Sequence, residues 1–313
     1  VIQADWLQTT VDPADVTVTS GDDVGGIDFG NFELVTLSGM KFEDEDGDGV
    51  KETNESGLEG WTIQLDIDTD MDGVVDESLV RITDASGNYV FTGLGPVDYS
   101  VREVLKAGFE QTAPATGSFA GTVTSGLVLN ADFGNARTLA FDKDSPAQYG
   151  DASGDLITVS LKGLGNGKVV LPASGVGDAI NIFTWDTSSS SKLTVKTGRG
   201  DTTIVNMIVN GSLRDLLAKT TDLLGNLTVT GALKKLQLDD VADNHEITIG
   251  PPENEGDTLT VTMDRVADLT FTSQTPIKTF TVSEWLDTDD DPDQLITPWV
   301  KTLTSQGNRS VPG

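Results

Sequence analysis

The chain contains no cysteine, so neither a disulfide framework nor thiol chemistry is available to it. Its one histidine, His245, leaves no Cys/His set for zinc. Bases are scarce as well: 20 Lys and Arg stand against 50 Asp and Glu, a net charge of −30 over 313 residues. Such a field repels nucleic acid and anionic membrane surfaces and attracts divalent cations. No apolar run reaches the ~18 residues a membrane span needs, so no membrane insertion is expected. No basic-then-apolar leader is present, and the start at Val1 reads as that of a mature or excised piece of something longer. Nucleophile elbow, phosphate loop and paired histidines are all missing, which leaves catalysis without a local motif.

What the chain does have is acid in an ordered pattern. Residues 1–136 hold 26 Asp and Glu against 5 Lys and Arg, so bound cations would relieve strong self-repulsion there. Within them, Asp44, Asp46 and Asp48 fall at positions 1, 3 and 5 of a loop. Gly49 stands at 6, Val50 at 7 with its carbonyl, and Glu55 at 12. That is the spacing by which one loop wraps Ca²⁺. A second loop repeats the start of the pattern with Asp68, Asp70, Asp72, Gly73, Val74 and Asp76. Position 12 there is Leu79, so Asp66, Asp84 or water would have to complete the shell; the alternative is a polar hairpin tip. Asp287–Asp293 also alternates, but Pro292 takes the glycine position and a solvated loop is expected.

An internal repeat marks the domains. Gln8-Thr9-Thr10 returns as Gln111-Thr112-Ala113, Thr17–Gly21 as Thr122–Gly126, and Asp28–Asn31 as Asp132–Asn135. The offsets are 111 − 8 = 103, 122 − 17 = 105 and 132 − 28 = 104. Residues 1–35 therefore read as the last strands of a preceding repeat, and 36–136 as a complete copy. In that copy Trp61, Ile63, Leu65 and Ile67 alternate with polar residues, and further strand-sized phrases lie at 79–83, 89–91 and 99–104. Short strands in this number predict a two-sheet β-sandwich.

Ser38–Asp44, Gly57–Leu65, Thr83–Phe91 and Tyr99–Glu103 together resemble the B-type, prealbumin-like repeats of serine-aspartate-repeat and collagen-adhesin surface proteins. The resemblance implies a small Greek-key β-sandwich, strung in tandem as extracellular stalk modules and stiffened by calcium. In some relatives a Lys on the first strand is cross-linked to an Asn or Asp on the last, with a Glu between them. Glu103 matches that Glu, and Asn135 or Asp132 lies near the last strand. The first strand carries Glu43 and Asp44 where the Lys is expected, however, and Lys41 reads as out of register. Glu103 is accordingly expected to be an ordinary strand carboxylate.

Residues 137–155 read as a linker or as the first turn of a further domain. Beyond them Leu193-Thr194-Val195, Leu227-Thr228-Val229 and Leu259-Thr260-Val261 recur, and Gly211–Leu216 returns as Gly231–Leu236, offset by 231 − 211 = 20. Units of that length predict a β-solenoid over 156–313, with Trp285 through Trp299 as its cap. A second β-sandwich, or a short helix at 212–218, competes with this reading. Arg199-Gly200-Asp201 is expected to be a chance tripeptide, His245 a turn residue, and the Asn-x-Ser/Thr triplets at Asn54, Asn210, Asn226 and Asn308 carry little.

The chain thus reads as an all-β, non-enzymatic, extracellular surface protein of adhesin type, with Ca²⁺ as its one cofactor. Surface polysaccharide or matrix protein is an expected partner, and so are neighbouring copies joined through the N-terminal strands into a fibre. The alternative is a polysaccharide lyase or hydrolase, with Arg214, Lys234, Lys235 and Lys278 as a basic stripe on the solenoid.

Overall fold

The computed structural model describes residues 3–172, 177–288 and 292–305. Asp289, Asp290 and Asp291 of the third acidic run, and Asn308, lie outside the described residues. Every regular element among the described residues is a strand, and the chain divides into two units, Val1–Asn135 and Ala136–Gly313.

The first unit holds the sandwich. One sheet is Glu77–Ile82, Thr62–Asp68, Asp98–Glu103 and Ser118–Thr122, antiparallel throughout. The other centres on Val35–Glu43, which pairs antiparallel with Asn88–Leu94 and parallel with Val128–Asn130 and with Phe133–Asn135. The period of two decides what each strand buries. Ile63, Leu65 and Ile67 point inward, as do Tyr89 and Phe91, and they meet Val35, Leu37 and Phe133 in a single core. The same count places Tyr99, Val101 and Glu103 on one inward face. From Val35 it runs through Leu37 and Gly39 to Lys41. Ahead of the sandwich, Trp6–Gln8 pairs antiparallel with Asn31–Glu33.

The second unit is a two-sheeted parallel solenoid opened by antiparallel strands. One sheet stacks Ala179–Thr187, Thr202–Gly211, Leu227–Val229, Glu246–Ile249, Thr270–Ser273 and Gln294–Ile296. The other stacks Lys192–Thr197, Leu213–Leu217, Leu233–Gln237, Leu259–Ala267, Ile277–Leu286 and Leu303–Ser305. Thr228 pairs in register with both Ile208 and Thr248, so these rungs are 20 residues long (228 − 208 and 248 − 228). Leu216, Leu236, Val261 and Phe280 stack inside, each buried only against the rungs beside it. At one edge an asparagine ladder ties the rungs. Asn206 donates to Asn181 Oδ1 (3.0 Å), and its own Oδ1 accepts the Asn226 N–H (2.8 Å). Asn226 Oδ1 in turn accepts the Glu246 N–H (2.8 Å).

Three expectations change. Residues 137–155, expected to be a linker, form strand: Arg137–Asp142 pairs with Asn166–Leu171, and Ala147–Gly150 with Leu156–Lys162. Residues 213–217 are strand rather than helix, because Leu213 and Leu216 take the inward places their neighbours in the stack require. The segment from Trp285 to Trp299 continues the stack instead of capping it. Trp285 stacks on Phe280 and donates to Asp293 (2.6 Å), while Gln294–Ile296 adds a strand.

Candidate functional site

Lys41 is a charged side chain held inside the sandwich with no exposed surface. Its strand runs parallel to Phe133–Asn135, with Lys41 opposite Phe133 and Glu43 opposite Asn135. Asp98–Glu103 in the facing sheet carries Glu103 inward, and Lys41 Nζ lies 3.2 Å from Glu103 Oε2. Nζ also donates to the Phe133 carbonyl (3.0 Å) and sits 4.7 Å from the centre of the Trp61 ring. Asn135 is fully buried beside them, and neither polar atom of its carboxamide makes a hydrogen bond of ordinary geometry.

Burial makes charge expensive here, and both ionisable groups respond. It pushes the Lys41 ammonium down to about 8, against the pull of Glu103 and Asp44. It pushes the Glu103 carboxyl up, against Lys41 and the neighbouring Asn135 amide. The pair is therefore drawn toward a neutral amine facing a protonated acid. This corrects two expectations. Lys41 is not out of register, and Glu103 is no ordinary strand carboxylate. Counting by two from Val35 would have found Lys41; matching it against Glu43 and Asp44 hid it. Gly134 is required at this point, because a Cβ there would lie 2.6 Å from the Phe42 ring and 3.0 Å from Thr112 Oγ1.

Next to the cluster, the acidic loop after Glu43 folds around the Asp44 carboxylate. That group accepts backbone N–H groups from Gly47 (2.7 Å), Asp48 (3.1 Å) and Gly49 (2.7 Å). Gly49 has φ +83°, and a Cβ there would lie 3.1 Å from the Thr112 carbonyl oxygen, so the turn favours a residue without Cβ. The carboxylates of Asp44, Asp46 and Asp48 converge, and Asp46 also converges with Glu52 and Glu55, with ligand oxygens in each group within 4.8 Å of one another. Asp46 is pushed up by burial and by Asp48 and Asp44, and Glu52 by burial and by Glu55. These hard oxygen donors, crowded together, fit a divalent cation. Glu55 meets the early aspartates through Asp46, and Glu52, which the spacing analysis missed, joins them. Glu52 is position 9 of the loop, where calcium loops take a ligand directly or through water, so it was legible. The Val50 N–H donates to Asp48 (2.7 Å).

The second loop is looser. Asp68, Asp70 and Asp76 converge, while Asp72 stands outside that group and accepts the Val74 N–H (2.8 Å). Thr69 holds Asp76 through its N–H (2.8 Å) and its hydroxyl, and this pulls the carboxyl down. Neither residue proposed to complete the shell is positioned for it. Asp66 is taken by Arg102 (3.2 Å), Ser78 and Gln64, and Asp84 by the N–H groups of Ser86 and Asn88.

In the second unit two of the four residues of the basic stripe are held in local pairs. Arg214 meets Asp215 (3.0 Å) and Lys234 meets Asp257 (2.9 Å), at sites open to solvent where such pairs count for little. Lys234 holds Asp257 low, the opposite of what a general acid needs. Arg199-Gly200-Asp201 is an exposed turn, and the His245 carbonyl accepts the Thr270 N–H (3.1 Å) beside another turn. Asp239 has a raised pKa of about 6, from burial first and then from Asp201, Asp222, Asp240 and Asp264. A carboxyl raised on folding favours the folded state below its unfolded value, and that benefit is lost as pH rises through about 6. The second unit should therefore melt higher at pH 5 than at pH 7, and Asp239→Asn should raise the pH 7 melting temperature and flatten this difference.

Comparison with known proteins agrees with the sandwich. Residues 36–140 match the family model described as the SdrD B-like domain, as the strand phrases implied. No curated protein matches the chain. Among solved structures, GBS52, the minor pilin in the Gram-positive pathogen Streptococcus agalactiae, is 19% identical over 33% of this chain and 44% of its own, with a TM-score of 0.23. The full-length major pilin SpaD from Corynebacterium diphtheriae is 12% identical over 43% of this chain and 38% of its own, with a TM-score of 0.23. The major plantain pollen allergen Pla l 1 is 16% identical over 32% and 93%, with a TM-score of 0.25. This chain spans less than half the length of either pilin.

Proposed function

We propose that residues 36–136 are a self-cross-linking, calcium-stiffened module of an extracellular stalk that carries the solenoid, in a non-enzymatic surface protein able to assemble with its neighbours. The buried Lys41–Glu103–Asn135 cluster carries this reading. A lone lysine inside a sandwich core is costly, and a core needing only packing would hold an apolar residue there. The same burial prepares a reaction. The neutral Lys41 amine attacks Asn135 Cγ, forming the Nζ–Cγ bond. Protonated Glu103 lends its proton to the carboxamide oxygen, passes the proton released from Nζ to the departing Nδ2, and recovers its own as the carbonyl re-forms. The Cγ–Nδ2 bond breaks, ammonia leaves, and an amide joins the first strand to the last. No oxidant is involved, and the core excludes the water that would compete.

For calcium, Asp44, Asp46, Asp48, Glu52 and Glu55 would hold the ion, with Asp68, Asp70 and Asp76 as a second, looser set. Bound there, the cation supplies charge neutralisation and a fixed loop conformation. Asp44 is both a donor of this set and the residue after the strand that carries Lys41, so ordering the loop also steadies the cross-linked strand. The intact mass of the purified chain tests the covalent part. It should fall short of the sequence mass by one ammonia, and Glu103→Gln should restore the full mass. A wild-type chain at full mass would overturn the cross-link.

A further inference from the structure

The outer face of the solenoid changes character at its first parallel rung. Strand Ala179–Thr187 alternates as far as Trp185: Ile182 and Thr184 are buried, while Phe183 and Trp185 point outward. Continued alternation would turn Asp186 into the core, where a carboxylate is costly. Instead the register slips between Trp185 and Thr187 and leaves Asp186 as an extra residue with φ +57°. This bulge sets two consecutive side chains, an indole and a carboxylate, on the outside together. Aspartate enters the left-handed region more readily than most residues, yet it is strained there, and strain of this kind gathers at binding sites.

The strands on either side supply amides. Antiparallel pairing sets Asn166 opposite Trp185 on one side, and parallel pairing sets Asn210 opposite it on the other. Both asparagines are exposed and share its face, since the buried neighbours on their strands are Gly167 and Val209. Adjacent strands lie about 4.8 Å apart, so the two carboxamides flank the indole at about that spacing. They do not cover it, and Trp185 stays 37% exposed in the middle of a sheet. One step back along the strand, the Phe183 ring is already taken by Lys168, whose Nζ lies 5.2 Å from its centre. The Trp185 column continues through Asn210, Thr230 and Gly250, so the indole is particular to this rung.

An open indole bordered by two carboxamides and a carboxylate has a definite chemical complement. The C–H face of a pyranose ring is apolar and stacks on an indole, while the hydroxyls at its rim need donors and acceptors around that stack. Each carboxamide offers both, and a carboxylate accepts from two neighbouring hydroxyls. Charge narrows the class further. A chain of net charge −30, with Asp186 in the site itself, repels uronic acids, sulfated sugars and phosphate-bearing polymers. We infer that Trp185, Asp186, Asn166 and Asn210 form a binding site for neutral polysaccharide. One pyranose stacks on Trp185, and the units before and after it extend across the strands over Asn166 and Asn210. The site depends on neither the cross-link nor the calcium loop proposed above.

The test titrates the full chain with hexasaccharides of β-linked glucose, mannose and galactose, and with polygalacturonate as the charged arm. The readouts are calorimetry and the Trp185 indole N–H resonance, assigned by its loss in Trp185→Phe. A neutral hexasaccharide should shift that resonance, half-saturating at millimolar concentration, and polygalacturonate should leave it in place. Trp185→Ala should weaken the binding at least tenfold. Asp186→Asn, which keeps a side chain suited to φ +57°, should weaken it severalfold. The melting transition of the second unit should stay where it is in both variants, because these side chains lie at the surface. No shift with any of the three neutral sugars, or undiminished binding by Trp185→Ala, overturns the inference. A shift with polygalacturonate alone overturns the choice of a neutral ligand. Loss of the resonance on concentrating the chain without sugar assigns the face to a second copy, and overturns the site as well.

Discussion

Asn135→Ala is expected to melt on the order of 20–30 °C below the wild-type chain, with its mass restored to the value computed from the sequence. The bond from Lys41 to Asn135 closes a loop of 94 residues (135 − 41), nearly the whole module. Chain-entropy reasoning for a cross-link gives about 4–5 kcal/mol for a loop of that size, taken from the unfolded state. In a domain of this size each kcal/mol moves the melting temperature by about 4–8 °C. Asn135→Ala is a better probe than a change at Lys41, because it leaves the lysine paired with Glu103 and so avoids an uncompensated buried charge. The melting transition of the second unit serves as the internal standard and should not move. A loss of only a few degrees, with the wild-type chain at full mass, would show that the cluster is an unreacted buried ion pair, and a variant that still lacks ammonia would place the acceptor at another residue.

Much of this was legible in the chain, but unevenly. Strand alternation at Ile63, Leu65 and Ile67, and the 20-residue cadence of Leu216 and Leu236, are local signals set by side-chain direction, and the observed strands follow them. Lys41 required a longer argument. Its partners are 62 and 94 residues away in sequence (103 − 41 and 135 − 41): the parallel pairing of Val35–Glu43 with Phe133–Asn135 brings Asn135 near, and the facing sheet brings Glu103. Parallel pairing leaves no turn signal to mark its register, unlike a hairpin. Residues 137–142 looked like linker because Arg137, Asp142 and the turn after them resemble loop composition. They are strand because Asn166–Leu171 pairs with them. The acidic spacing, by contrast, is wholly local, and the carboxylates of Asp44, Asp46 and Asp48 that it puts together do converge, with Glu52 added beside Asp46 and Glu55.

Calcium at about one hundred times its dissociation constant should stabilise the module by about 2.7 kcal/mol, which corresponds to a rise on the order of 10 °C. Chelator should reverse the rise, and Asp46→Ala with Asp48→Ala should remove most of it. Asp44→Ala would be a poor test, because its carboxylate caps three loop N–H groups and its loss disturbs the turn whether or not metal binds. Asp70→Ala should subtract little, since the second loop lacks a closing carboxylate at position 12 and both nearby substitutes are engaged elsewhere. The control that matters is ionic strength. A chain of net charge −30 gains some stability from any salt, so KCl matched to the calcium solution sets the baseline. Magnesium is the sharper comparison, because it demands near-octahedral geometry and gives up water reluctantly, whereas a flexible ring of five carboxylates suits the larger ion. Equal rises in calcium, magnesium and matched KCl would reduce the loop to a screened acidic turn. A rise specific to calcium, lost with Asp46 and Asp48, would make it a fastening placed directly after the strand that carries Lys41.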